Sequence, residues 1–391
     1  MPRRRPGGVP GLRQSSAPRR RFGPSGLLRR IFTLRRILVA VVLVFVIVIG
    51  GPLLFIATQC YGNGAQSASE LPEPVRTLSN YTRAEAYTYL TLPEWLIVYS
   101  GDEYGQFIAH TGPSRFPYLR SVFQYWSGYR AVCQITKREY PFETGYHVML
   151  GVIGASFTIE HVVKGLYEHT VGRVTEWLFT RDTPEDAYAV RTAQEYGTFM
   201  HTVPWYEFPF GARLAGLWKQ TPAFGPHFVR KWERRFVLTA EYGSKAIYGW
   251  VIGTASGAAY GAEDLQIHAW IENVPPAVFA DTRVQSVARV GETGHVVRMP
   301  RYEAFTTIAL ALHAQGVRFV NIAGNDEILV TAIGPAGRAT DVSPARLASR
   351  MPLPTDRSRE RLALRVPVAS LHEVITRLLA AGVAIEHLYD Y

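Results

Sequence analysis

The chain has 391 residues, 47% of them hydrophobic, a formal charge of +10 and two cysteines. That length allows about two folded units, and two cysteines exclude a small disulfide-stapled scaffold. Only five of the 42 basic residues are Lys; heavy use of Arg, Ala, Gly and Val fits a GC-rich bacterial genome.

Residues 1–36 contain no Asp or Glu and eleven Arg, from Arg3 to Arg36. The basic balance belongs to this tail, since the rest of the chain then carries −1. Pro, Gly and Ser richness predicts a disordered segment that lies along anionic headgroups. No aromatic-interleaved basic motif points to nucleic acid. Residues 37–57 are an unbroken apolar run of 21. A helix rising 1.5 Å per residue crosses the ~30 Å hydrocarbon core in about 20 residues. The run exceeds the 7–15 residues of a secretory h-region, so it reads as a retained transmembrane helix. The positive-inside rule keeps the N-terminus in the cytoplasm, which predicts a bacterial cytoplasmic (inner) membrane protein whose first partner is the lipid bilayer. Cys60 and Cys133 then both lie outside, where a disulfide is allowed; two unrelated buried thiols are the other reading.

Residues 58–262 read as mostly helical and membrane-associated. Apolar residues at Phe116, Leu119, Val122, Phe123, Trp126 and Cys133 have helical spacing. Asp182-Thr183-Pro184-Glu185-Asp186 is a helix start, with a cap, Pro in the first turn and acids at the positive dipole end. Two further candidate spans are 146–163 and 247–261. Gly249, Gly253, Gly257 and Gly261 recur every four residues, a face that lets another helix approach closely. The 146–163 segment, with Gly151 and Ala155, is the expected partner. Residues 164–245 carry eleven Lys/Arg, including Arg230-Lys231 and Arg234-Arg235, against seven in 58–145. That bias weakly favours 164–245 inside. With one span or three, the C-terminus emerges outside.

His147, Glu160, His161, Lys164, Glu168 and His169 form a polar constellation at and beyond the 146–163 segment. Three readings stand: a Glu160–Lys164 i,i+4 pair, a proton or substrate relay, and a metal or haem site. The chain has no H-E-x-x-H, C-x-x-C, phosphate-cradling G-x-x-x-x-G-K or G-x-S-x-G. No catalytic residue, metal or cofactor is assigned.

Residues 263–391 read as a small α+β domain. Expected strands are 295–300, 317–323, 327–333, 362–368 and 383–391; helices are 302–315 and 370–381. Gly324-Asn325-Asp326 is the expected hairpin turn, and 334–359 a loop. Arg298-Met-Pro, helix, Gly316-Val, strand echoes Arg365-Val-Pro, helix, Gly382-Val, strand. A doubled βαβ unit implies a ferredoxin-like sandwich. The ending Ala381-Gly-Val-Ala-Ile-Glu-His-Leu-Tyr-Asp-Tyr391 resembles the last strand of ACT-type domains. That resemblance implies an interaction role and a small-molecule ligand, but carries over no ligand residues.

The expected whole is a membrane-anchored α + α/β chain. It has a tail (1–36), a transmembrane helix (37–57), a helical region (58–262) and a periplasmic ferredoxin-like domain (263–391). Its expected role is non-catalytic assembly, scaffolding or ligand sensing, with other membrane subunits or itself as partners. The alternative is a membrane-embedded enzyme or cofactor protein using His147, Glu160, His161 and His169.

Overall fold

The computed structural model describes residues 35–36, 38–39, 42–43, 45–64, 73–76, 85–256, 265–338 and 342–391. Two compact units divide the chain, 1–51 and 52–391. The expected span 37–57 lies partly outside the described residues. Those described in the first unit are helical, and Leu38, Val42, Leu43, Phe45 and Ile47 are more than half exposed.

The second unit opens on the end of the helix Val46–Cys60 (α1). After a short turn of helix at Glu73–Arg76 come α2 (Glu85–Leu90), α3 (Leu92–Thr111), α4 (Tyr118–Glu139), α5 (Thr144–Leu178, with a π turn at Glu168–Gly172), α6 (Pro184–Met200), α7 (Phe210–Gln220) and α8 (Phe228–Ser256). Thr183 caps α6 in a capping box with Asp186, and Pro184 opens the first turn. Among the described residues α5 is the one helix long and apolar enough to cross a bilayer.

The described half of the glycine repeat, Gly249 and Gly253, does not pack on α5. A Cβ on Gly249 would lie 2.9 Å from the Tyr206 carbonyl oxygen, and Gly253 faces open space. Gly257 and Gly261 lie outside the described residues. α8 meets α5 through Glu241, Lys245 and Tyr248, ahead of the first glycine of the repeat. Gly151 backs onto Pro52 and Ile56 of α1, and Ala155 is half-buried.

The close helix approach occurs elsewhere, at Gly101-x-x-x-Gly105 on α3 and Gly197 on α6. A Cβ on Gly105 would sit 3.1 Å from the Gln194 backbone; one on Gly197 would sit 3.3 Å from the Asp102 backbone. Backbone cannot yield as a side chain tip can. Gly105→Leu is therefore expected to destabilise the fold by about 3 kcal/mol. Urea denaturation in detergent checks this; a midpoint unchanged from wild type would show that the α3–α6 contact is loose.

The C-terminal region is antiparallel sheet with two helices, in two copies of one β-β-β-α-β unit. The first holds β1 (Gln266–Glu272), β2 (Gln285–Val290), β3 (Gly294–Pro300), α9 (Glu303–Ala314) and β4 (Arg318–Ile322). The second holds β5 (Glu327–Pro335), β6 (Arg346–Pro352), β7 (Arg359–Pro367), α10 (Leu371–Ala380) and β8 (Ala384–Leu388). The sheets run β2-β3-β1-β4 and β6-β7-β5-β8. Registers match as well: Gln266 pairs Pro300 as Glu327 pairs Pro367. Bulges recur at Trp270/Ile271 and Thr331/Ala332, and at Ser286/Ala288 and Leu347/Ser349. Gly316 (φ +80°) and Gly382 (φ +71°) end the two helices in the left-handed region, where glycine carries no Cβ penalty. Both halves share one core, which includes Phe305, Ile308 and Leu312 of α9 and Leu371, Val374 and Leu378 of α10.

Thus the internal echo is a duplication, but not of a βαβ unit in one sheet. Gly324-Asn325-Asp326 joins β4 to β5 in different sheets and makes no hairpin. The expected loop 334–359 contains β6, and β1 and β2 precede the first expected strand. β2 and β6 are edge strands rich in exposed polar side chains, so the alternation that marks a half-buried strand is weak there.

Candidate functional site

The second sheet rests on the helical body. Leu329, Met351, Ala363 and Tyr389 share a core with Tyr89, Trp95, Tyr99 and Tyr129. Arg361, 1% exposed, anchors this contact. It donates to both carboxylate oxygens of Glu386 (2.6 and 2.8 Å), to Gln124 Oε1 (2.9 Å) and to Glu103 Oε1 (3.2 Å). Its guanidinium also lies 4.3 Å from the Tyr99 ring centroid. Arg365 forks onto Glu139 at the end of α4, with two 2.7 Å bonds. Burial pushes the Glu103 carboxyl up to about 7 although Arg361 pulls it down, and pushes Asp390 up to about 6.

These two acids hold protons in the folded chain at pH values where the unfolded chain has lost them. Their contribution to stability is present at low pH and is lost as pH rises through the folded values. Neighbouring His387 is held well below its ordinary value by burial, so it acts with the opposite sign below pH 6.5. Glu103→Gln/Asp390→Asn should therefore remove part of the fall in stability between pH 4.5 and 7. Denaturation midpoints at three pH values check it; parallel curves for wild type and variant would refute the shifts.

A polar site lies among α3, α5, α6 and α8. Glu160 and Lys164 of α5 do not pair with each other. Lys164 Nζ bonds Glu241 Oε1 at 2.7 Å, and Lys245 Nζ bonds Glu160 Oε1 at 2.7 Å. The cross-pairing follows from two Glu-x-x-x-Lys steps on antiparallel helices, 160–164 and 241–245. Lys245 also approaches Glu241 at 3.8 Å. Lys164 sits 4.1 Å over the Tyr104 ring and Lys245 4.8 Å over Tyr196. These groups line a cavity of about 80 Å³, room for a few waters or a very small polar ligand. The four charges sum to zero, so the site favours a neutral or zwitterionic occupant over an ion.

His161 completes the wall. Its Nε2 lies 3.4 Å from Ser100 Oγ, and its Nδ1 lies 3.1 Å from the Phe157 carbonyl oxygen. The Ser–His contact is long for a hydroxyl bond. A carbonyl, not a carboxylate, faces the far nitrogen. The arrangement is a fixed charge lock with a hydroxyl lining rather than an activated nucleophile.

The other members of the expected constellation are elsewhere. His147 lies about 21 Å along α5 from His161, at 1.5 Å per residue. It is buried, with Nδ1 2.8 Å from Tyr129 Oη and its ring stacked on Phe142. It stands beside Cys60 and Cys133, which form a disulfide. Glu168 belongs to a second ionic network. It accepts a bidentate fork from Arg234 (2.8 and 3.0 Å), while Arg230 binds Asp186 and Glu233, and Arg235 binds Glu185. Arg230, Arg234 and Arg235 are at most 1% exposed. They are not free loop charges, so they lend nothing to an inside assignment of 164–245. His169 faces outward and meets the Phe116 carbonyl oxygen at 3.2 Å. Stacked haems on His147 and His161 have no support here, since the two rings pack in separate aromatic nests.

Reading by sequence missed Glu241, Lys245 and Arg361. The repeated Glu-x-x-x-Lys spacing was the available signal for the first two. No protein-family model matches this chain, and neither a curated protein nor a solved structure matches it.

Proposed function

We propose that this chain is a non-catalytic, membrane-anchored assembly or sensing protein with one crossing, at residues 37–57. Its N-terminus is cytoplasmic, and its helical body and duplicated C-terminal domain stand on the opposite side of the bacterial inner membrane. The observation that carries this reading is the layering of the body. α4 runs antiparallel to α5, with Tyr129 at His147, Tyr125 at the Leu150 carbonyl and Tyr118 against Gly165. On its other side α4 holds the second sheet, from Arg120 at the Pro354 carbonyl to Glu139 at Arg365. A bilayer enclosing α5 would have to enclose that charged sheet as well, which hydrocarbon does not tolerate. So 146–163 is read as a helix lying on the membrane rather than through it. The most apolar 18-residue window of α5 is only 28% buried, which suits contact with lipid along one side. A disulfide only three residues past the apolar run suits an oxidising compartment. The C-terminal domain then offers its surface to partner subunits or a small ligand.

Single cysteines at Lys219 and Arg357, both exposed, test the topology with a membrane-impermeant thiol reagent on intact cells. Both should label from outside. Labelling at 219 only after lysis would establish α5 as a span and end this reading.

A further inference from the structure

From the surface of α5 we infer a binding site for the phosphate of an anionic phospholipid at the C-terminal end of that helix; it rests on the membrane-surface reading above. Ile159, Val163 and Leu166, and after the polar Thr170 Val174 and Trp177, are 43–82% exposed. They form one apolar stripe, and Trp177 at its end is the most exposed, at 82%. Large rings with a polar edge settle at the boundary between acyl chains and headgroups. Beside Trp177 opens a groove of about 1030 Å³, whose wall includes Arg115 and Arg173.

What marks this groove is that two such cations share one wall beside Trp177. The buried arginines Arg230, Arg234, Arg235 and Arg361 are consumed by carboxylates, as is Arg365. Arg115 and Arg173 are exposed, and among the described residues neither guanidinium makes an ion pair or hydrogen bond. One carboxylate also faces the groove, Glu176, but Ser114 Oγ donates to it at 2.5 Å. His169, also on the wall, is engaged at the Phe116 carbonyl. The groove thus presents two open guanidiniums against one hydrogen-bonded carboxylate, next to an apolar stripe. That pairing fits a phosphodiester whose acyl chains continue along α5. It does not fit a free anion, which would make no use of the stripe. Guanidinium forks match phosphate oxygens geometrically as well as by charge.

The test uses the full chain in phosphatidylcholine vesicles carrying a minor fraction of lipid with brominated acyl chains, which quench Trp on contact. The probe lipid is either phosphatidylglycerol or phosphatidylcholine. Subtracting the Trp177→Phe variant isolates the signal of that ring. Trp177 should be quenched by both, with roughly fivefold enrichment of phosphatidylglycerol for each guanidinium engaged. Arg115→Gln/Arg173→Gln should abolish the preference while leaving the basal quenching. Excess inorganic phosphate should not compete. Equal quenching by both lipids would overturn the headgroup site and leave the membrane face intact. A preference that survives the double substitution would assign it to the Arg-rich tail and overturn the site. Loss of the preference to inorganic phosphate would make the groove a free-phosphate site. No quenching of Trp177 by either lipid would defeat the membrane-surface reading itself.

Discussion

Arg361→Met should destabilise the 52–391 unit by about 3–5 kcal/mol, the cost of removing one partner from a buried ion pair. The long apolar side chain fills much of the same volume, so the loss reads the charge rather than a cavity. Without the guanidinium, Glu386 loses both of its 2.6 and 2.8 Å bonds, and Glu103 loses its only cationic neighbour among the bonds given above. Gln124 loses its acceptor bond as well. The damage falls between the helical body and the second sheet. Urea denaturation followed by near-ultraviolet circular dichroism in detergent measures it. Adding Glu103→Gln and Glu386→Gln to Arg361→Met should restore part of the loss, because the stranded carboxylates are then neutral. A single variant within 1 kcal/mol of wild type would show that water reaches the site and solvates the acids.

Cys60→Ala/Cys133→Ala should cost about 4 kcal/mol. The disulfide closes a loop of 73 residues, and removing it returns that conformational freedom to the unfolded chain. Both sulfurs are fully buried, so the bridge also ties the end of α1 to the middle of α4. Treating the wild-type chain with reductant under denaturing titration should reproduce the shift, which separates the cross-link from the packing of the two side chains. A shift below 1 kcal/mol in both experiments would mean that residues 61–132 stay compact when unfolded. His147 provides a local probe: its ring lies beside the sulfurs and its Nδ1 meets Tyr129, so its NMR signal should move on reduction.

Several features were legible from local sequence because their causes are local. Thr183-Pro184-Glu185-Asp186 starts α6 by satisfying its own backbone donors. Gly316 and Gly382 end two helices because each must adopt positive φ. The echo between 298–323 and 365–388 was visible because each half must bury the same apolar pattern on one sheet and one helix. The apolar length of 37–57 and the Arg-rich tail before it are likewise properties of composition, and they carry the expectation of a membrane anchor.

Partnership was not legible in that way. Glu160 and Lys164 satisfy the i,i+4 rule on one helix, yet each pairs with α8, because two such steps on antiparallel helices gain closer contacts across than along. Gly249 and Gly253 have ideal spacing, but Gly249 meets the short turn at Tyr206 and Gly253 meets nothing, whereas Gly105 and Gly197 lie where the long helices α3 and α6 meet. Spacing marks a face; only packing supplies its neighbour. The constellation from His147 to His169 separated for the same reason: the length of α5 carries its members past three different sets of neighbours. The sequence by itself determined the apolar run at 37–57, the helix ends and the duplication. The tertiary structure decided which charges meet, which sheet covers the helices and which face of α5 stays open, because those depend on contacts between residues tens to hundreds of positions apart.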